Sequence, residues 1–166
     1  ARLRDQRFCV VAIDKKAAGP ESFHKPCGGL LAPDAQKVLA GFDLTLPKEV
    51  LVDPQIFSVR TIDLDSGLVQ NYQRIYLNLN RHAFDLWMES LIPGRVNLLS
   101  NAECVKLERQ SDHFLLTVRQ GGALQTLQAR CLIGADGANS LVRRTFFPHR
   151  KIRAYVSIQQ WFAQEE

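Results

Sequence analysis

Apolar positions along the chain change period several times, and each change marks an element. Phe8-Cys9-Val10-Val11-Ala12-Ile13 is a continuous apolar run closed by Asp14-Lys15-Lys16. A run that is apolar on both faces predicts a parallel strand covered from two sides. Ile56–Ile62 and Leu68–Leu79 flank the turn formers Asp65-Ser66-Gly67 and predict a hairpin. Over Arg81–Leu91 the period lengthens. Phe84, Trp87, Met88 and Leu91 recur at i, i+3, i+4 and i+7, a helix with a buried stripe, capped by Asn80 and ended by Pro93-Gly94. Val96–Leu99 is a short strand. Alternation then returns in Val105/Leu107 and Phe114/Leu116/Val118, with Leu124/Leu127/Ala129 beyond the Gly121-Gly122 turn, predicting a three-strand antiparallel meander with one buried face.

The meander leads into Cys131-Leu132-Ile133, a short apolar run that predicts a buried strand. A turn follows, Gly134-Ala135-Asp136-Gly137, and Leu141-Val142-Arg143-Arg144 opens a helix that Asn139 or Ser140 can cap. The free N–H groups at such a helix start can hold an anion. Ile152–Phe162 predicts one more strand, and Arg2–Arg7 reads as the tail of a helix. The order of elements is that of an α/β fold with a parallel core and an antiparallel excursion.

Two segments lack periodicity. Residues 47–54 connect elements. Ala17–Leu31 carries Gly19-Pro20 and then Lys25-Pro26-Cys27-Gly28-Gly29, followed by a short helix from Pro33-Asp34 to Leu39. Pro26 holds Lys25 extended, and Gly28-Gly29 lets the backbone come close to a ligand, so this is a candidate binding loop. The alternative is a surface turn with an exposed lysine. Two charged residues stand at element ends. Asp14 closes the first apolar run, where dinucleotide-binding folds place a ribose-binding carboxylate, although a polar residue also simply terminates a strand. Arg81 lies in the first turn of its helix, where the dipole disfavours a cation. A nearby anion would compensate, and so would Asp85 at i+4.

Composition narrows the function classes. The net charge is only +4, and the basic residues are scattered without interleaved aromatics, so no nucleic-acid partner is expected. No apolar run is long enough to span a membrane and no signal-peptide pattern occurs, which points to a cytoplasmic protein, with peripheral membrane association still open. Cys9, Cys104 and Cys131 sit in apolar segments as small buried hydrophobes, and with Cys27 they form no zinc-like pairing, so no metal site is expected. His24, His82, His113 and His149 are scattered and form no triad signature. Neither Gly-x-Gly-x-x-Gly nor a Walker sequence occurs.

Three blocks carry a family resemblance. They are Phe23-His24-Lys25-Pro26-Cys27-Gly28-Gly29-Leu30-Leu31-Ala32-Pro33-Asp34-Ala35, Asn78-Leu79-Asn80-Arg81-His82-Ala83-Phe84-Asp85-Leu86-Trp87-Met88, and Gly134-Ala135-Asp136-Gly137-Ala138-Asn139-Ser140 with Val142-Arg143-Arg144. In this order they resemble FAD-dependent oxidoreductases of the geranylgeranyl reductase family, nearest to the bacterial CbrA-like group, within the class that includes p-hydroxybenzoate hydroxylase-like monooxygenases. The resemblance implies an FAD/NAD(P)-binding, Rossmann-like domain. It places Asp14 near the adenosine ribose, Arg81 near the FAD phosphates, and Asp136-Gly137 near the pyrophosphate as the second dinucleotide motif. It places Lys25, Pro26, Cys27, Gly28 and Gly29 beside the flavin ring, with Cys27 and Lys25 as the candidate catalytic residues.

The same resemblance implies FAD as cofactor, NAD(P)H as a candidate reductant, and a small apolar or isoprenoid substrate whose double bond takes a hydride. Residues 1–150 correspond to a partial FAD-binding domain and 151–166 to the start of a substrate-domain strand. The first strand with its Gly-rich turn and the C-terminal part have no counterpart in the sequence, so the domain is expected to be truncated and this chain, alone, inactive. Two alternatives stand beside this reading. One is an aromatic-type flavin monooxygenase, and the other a noncatalytic fragment that self-associates through exposed sheet edges.

Overall fold

The computed structural model describes residues 8–20, 22, 24–150 and 152–159. Its elements in chain order are β1 (Val11–Ile13), β2 (Leu30–Leu31), α1 (Pro33–Gly41), β3 (Ile56–Ile62), β4 (Val69–Asn78), α2 (Arg81–Ser90), β5 (Asn97–Leu99), β6 (Ala102–Arg109), β7 (Phe114–Gln120), β8 (Ala123–Ala129) and α3 (Leu141–Phe146). They sort into two units, His24–Pro93 and the described residues of Leu3–Phe23 with Gly94–Glu166. The helical tail read over Arg2–Arg7 lies outside the described residues.

In the first unit the predicted hairpin forms with β3 over the predicted span. β3 and β4 pair antiparallel from Ile56↔Tyr76 to Ile62↔Val69, and β2 adds to the other side of β4. The turn is closed by Asp63, whose Oδ1 accepts from the N–H groups of Asp65 and Ser66 at 2.9 and 3.0 Å. These bonds also hold the Asp63 carboxyl below its ordinary value. Two glutamines staple the unit. Gln36 on α1 donates Nε2 to the carbonyls of Leu31 and Ile75, and Gln55 donates to Val52 and Asn78 while accepting from the Asn78 N–H at 2.8 Å. The connecting segment is more ordered than expected. Lys48–Val50 forms a 3₁₀ turn, and Leu51 bridges to Leu79. Val50 and Leu79 are the buried apolar residues here. The α2 stripe is less buried than its period predicts, with Met88 38% exposed, because among the described residues only the short Lys48–Val50 turn packs substantially against that helix.

The second unit is organised by the meander β6-β7-β8, in register from Ala102↔Gln120 and from Phe114↔Ala129. Gly121 and Gly122 both take positive φ, 56° and 84°, as a two-residue hairpin turn matched to strand twist requires. The core is Ala102, Leu107, Leu116 and Val118, with Phe114, Leu127, Leu132, Leu141, Val142 and Phe146 packed against it. Val118 is fully buried, which favours the folded state by roughly 1.5–3 kcal/mol relative to exposure. The pairing slips between Cys104 and Lys106, leaving Val105 as a bulge. That extra residue changes the phase, so Ala102 and Leu107 both point inward although they are five apart.

Three strand expectations in this unit are corrected. The first strand is shorter than Phe8–Ile13 and only partly covered. Among the described residues β1 pairs only with β5, in parallel, and Phe8 and Val11 stay exposed. Cys131–Ile133 forms no strand, and Ile133 is 80% exposed, because no described strand lies beside it to complete its hydrogen bonds. Residues 152–159 carry no regular structure, with Tyr155, Val156 and Ile158 almost fully exposed, and the rest of the Ile152–Phe162 strand lies outside the described residues. Cys9 and Cys131 are consequently exposed rather than buried. Cys104 is half-buried, and that burial pushes its thiol up.

Candidate functional site

The first unit brings two distant sequence blocks together. Loop 24–29 runs onto the start of α2, where backbone and side chains hold it. Leu79 N–H donates to the Gly29 carbonyl at 2.8 Å. Gly29 itself is buried with φ +71°, and a Cβ there would run into the Leu79 carbonyl oxygen. No other residue type satisfies both conditions. Next to this contact the Cys27 Sγ accepts from the Gly29 N–H at 3.4 Å. The Cys27 thiol also lies within hydrogen-bonding reach of the Arg81 guanidinium. One step earlier, His24 stacks on His82 with ring centroids 3.7 Å apart and planes 16° from parallel. Lys25, Pro26 and Gly28 are exposed between these anchors.

Helix α2 starts as expected, with Asn80 Oδ1 accepting from the Ala83 N–H at 3.0 Å. Arg81 donates Nε to Asp85 Oδ1 at 3.0 Å, so the i+4 partner is present. Partial burial works against the Arg81 charge, but Asp85, helped by Cys27, holds the guanidinium above its ordinary value. An arginine with a paired Nε retains further N–H donors for an anion. The remaining guanidinium donors and the exposed Lys25 are of the type suited to phosphate oxygens.

In the second unit Asp14 stands at the end of β1 and is exposed. Its N–H donates to the Leu99 carbonyl, its carbonyl accepts from Ala102, and its Oδ1 accepts from the Lys16 N–H at 2.9 Å. The carboxylate is therefore presented at a strand end by bonds on both sides of the backbone. Lys15 beside it lines an open cleft of about 380 Å³ with Asn101, Ala102, Glu103, Arg119, Gly121 and Gly122. Arg119 bridges to Glu103 within that lining at 3.2 Å.

The Gly134–Ser140 turn is built differently from its sequence expectation. Asp136 Oδ2 accepts from the N–H groups of Leu141 and Val142 at 2.6 and 3.2 Å, and Ser140 Oγ accepts from Arg143 at 3.0 Å. The helix-start N–H groups expected to be free for an anion are thus taken by the chain's own oxygens. Slight burial tends to raise the Asp136 carboxyl. Its bonds to Ser140, Val142 and Leu141 prevail and hold it below its ordinary 3.8. Gly137 has φ +79°, and Gly134 packs directly on the Val142 side chain. Arg143 turns back to donate Nη2 to the Ala138 carbonyl at 2.8 Å.

Of the site residues read from the sequence, Lys25, Pro26, Cys27, Gly28, Gly29 and Arg81 lie in the first unit, with Gly29 bonded to Leu79 beside the start of α2, while Asp14, Asp136 and Gly137 belong to the second. The His24–His82 stack was missed. It joins residues that are far apart in the chain, and neither lies on an apolar period that would have singled it out. Among the described residues no helix is long and apolar enough to cross a membrane, and no group of three His, Cys, Asp or Glu side chains is arranged to hold a metal ion.

Comparison with known proteins bears on the fold. No protein-family model matches the chain. Protein CbrA of Escherichia coli strain K12 is 54% identical over 166 residues, which is 99% of this chain and 47% of that protein. Protein CbrA of Shigella flexneri serotype 5b is equally similar, with 45% of its length matched. The chain therefore spans just under half the length of the curated relatives it matches.

Three solved structures share its architecture. CmlS, a flavin-dependent halogenase, superimposes with a TM-score of 0.59 at 17% identity, covering 82% of this chain and 26% of that one. A geranylgeranyl bacteriochlorophyll reductase-like protein from Thermoplasma acidophilum gives 0.54 at 12% identity, covering 72% and 30%. The 2,6-dihydroxypyridine-3-hydroxylase from Arthrobacter nicotinovorans gives 0.52 at 18% identity, covering 76% and 31%. The α/β fold expected from the order of elements, and the Rossmann-like domain the resemblance implied, are found as a parallel strand pair with an antiparallel three-strand meander.

Proposed function

We propose that this chain is the cofactor-holding part of an FAD-dependent oxidoreductase. The observation that carries the reading is the seating of loop 24–29 on the start of α2, where the Leu79 N–H donates to the Gly29 carbonyl and Gly29 packs on the Leu79 backbone. The likeness to a reductase-like protein, a hydroxylase and a flavin-dependent halogenase supports the same class.

The residues present suit such a cofactor by their chemistry. Arg81 would hold phosphate oxygens, the exposed Asp14 carboxylate would accept from ribose hydroxyls, and the exposed Gly28 backbone would allow close approach of a planar ring, with Gly29 fixing the loop. Asp136 and Gly137 would act through the backbone of their turn, since the Asp136 carboxylate is committed to α3. When bound, FAD supplies the hydride-transfer chemistry. The chain's own part is to bind and orient the cofactor and to place Cys27 and Lys25 beside the reaction space. We read the substrate as a small apolar or isoprenoid molecule with a reducible double bond, and NAD(P)H as the reductant.

The test uses the full-length protein. It is expected to purify with, or take up, FAD, and after anaerobic reduction to saturate an alkene lipid. Oxygen insertion into an aromatic substrate without alkene reduction would replace this reading with the monooxygenase one, which the hydroxylase likeness favours. A colourless protein that takes up no FAD and elutes as a dimer would support self-association through sheet edges instead.

A further inference from the structure

Arg81 was read as either a phosphate ligand or the partner of Asp85, and the geometry makes these roles complementary. We propose that Asp85 is a positioning residue, holding Arg81 in the orientation that binds the anionic part of the cofactor. The inference rests on the flavoprotein reading of that site. Asp85 lies one turn beyond Arg81 on the same face of α2, and its Oδ1 accepts from Nε at 3.0 Å. The two side chains are only 32% and 25% exposed, so water competes weakly for the bond. A bond through Nε fixes the plane of the guanidinium on a side chain that would otherwise sample many rotamers, and it uses one of five N–H donors. The same guanidinium meets the Cys27 thiol. Asp85, Arg81 and Cys27 therefore form a relay of contacts from the helix to the loop.

The pairing has an electrostatic consequence. Asp85 cancels the net charge of Arg81, so what Arg81 offers an anion is a set of oriented donors. Position and charge can therefore be separated by substitution. Asp85→Ala removes the acceptor together with the negative charge, whereas Asp85→Asn removes the charge and keeps a carbonyl acceptor for Nε.

FAD affinity of the full-length protein is measured by flavin fluorescence for both variants. Positioning predicts that Asp85→Ala weakens binding by about tenfold while Asp85→Asn stays within about threefold of wild type. If charge alone mattered, both variants would bind as tightly as wild type or tighter, and that result overturns the proposal, as does an Asp85→Asn loss equal to that of Asp85→Ala. A second arm needs no cofactor. In the apo protein the alkylation rate at Cys27, read by peptide mass spectrometry against Cys104 in the same sample, is expected to change several-fold in Asp85→Ala and not in Asp85→Asn. An unchanged rate in both variants overturns the proposal. If wild type itself binds no FAD, the flavoprotein reading falls, and the alkylation arm still decides whether Asp85 positions Arg81.

Discussion

The starts of α3 and α2 use their N–H groups in opposite ways. At α3, Asp136 and Ser140 together accept from three successive N–H groups, and the helix is closed by its own turn. At α2, Asn80 supplies a single side-chain cap, and the first turn carries a cation whose partner lies four residues on. By its sequence the α3 start was the more obvious anion site, because glycines precede it and its N–H groups read as free behind an Asn139 or Ser140 cap. In the structure the chain's own oxygens take those α3 N–H groups. An acidic residue beside a helix N-terminus is as well placed to satisfy the helix itself as to serve a ligand. An arginine there gains nothing from the dipole, and is explained by what else it touches.

The glycines beside the two starts differ in the same way, and substituting them gives the sharpest contrast. Gly29→Ala should be the most damaging change, because positive φ and a collision with backbone oxygen must both be relieved, at a cost of about 3 kcal/mol or more. A chemical-denaturation midpoint no lower than wild type would show that the seat of loop 24–29 is not rigid. Asp136→Ala should come next, losing about 1–2 kcal/mol as two N–H groups of α3 lose their acceptor.

Asp136 also sets a pH dependence. Its folded carboxyl is depressed below 3.8, so its contribution is fully present above the unfolded value and is lost as pH falls through the lower folded one. Denaturation measured from pH 6 downward should therefore fall less steeply below about pH 4 in Asp136→Asn than in wild type. Equal slopes would mean that the carboxylate is not the cap.

Gly134→Ala should cost about 1 kcal/mol, since its new Cβ would sit 2.8 Å from the Val142 Cβ, an atom that moves only if the short helix α3 shifts with it. Adding Val142→Ala should recover part of that loss, which no second side-chain substitution can do for Gly29. The smallest effect is expected from Asn80→Ala, about 0.5–1 kcal/mol, because only one N–H loses its partner. A loss equal to that of Asp136→Ala would erase the distinction between the two helix starts.

Legibility followed the same physical lines. The meander was plain because alternation over one buried face leaves a period of two in the sequence. Its bulge at Val105 was not, since a phase slip is set by cross-strand pairing, and Ala102 has too small a side chain to stand out in an apolar count. The Asn80 cap was legible because it is local, and so was the Arg81–Asp85 spacing. The staples made by Gln36 and Gln55 were illegible, because an amide that bonds a carbonyl of another strand follows no period. Cys131–Ile133 shows the converse failure. Its composition is that of a strand, but a strand exists only where a neighbour completes its hydrogen bonds.

By itself, then, the sequence determined what depends on near neighbours: the period of each element, the hairpin turns, the caps, and which residues carry charge at element ends. Only the tertiary structure decided which of those residues meet. It laid Cys27 and His24 on the start of α2. It also turned Asp136 onto its own helix. The reason is physical. Local patterns record the conformational preferences of a few adjacent residues, whereas a meeting between distant ones depends on the path of the whole chain and leaves no period to read.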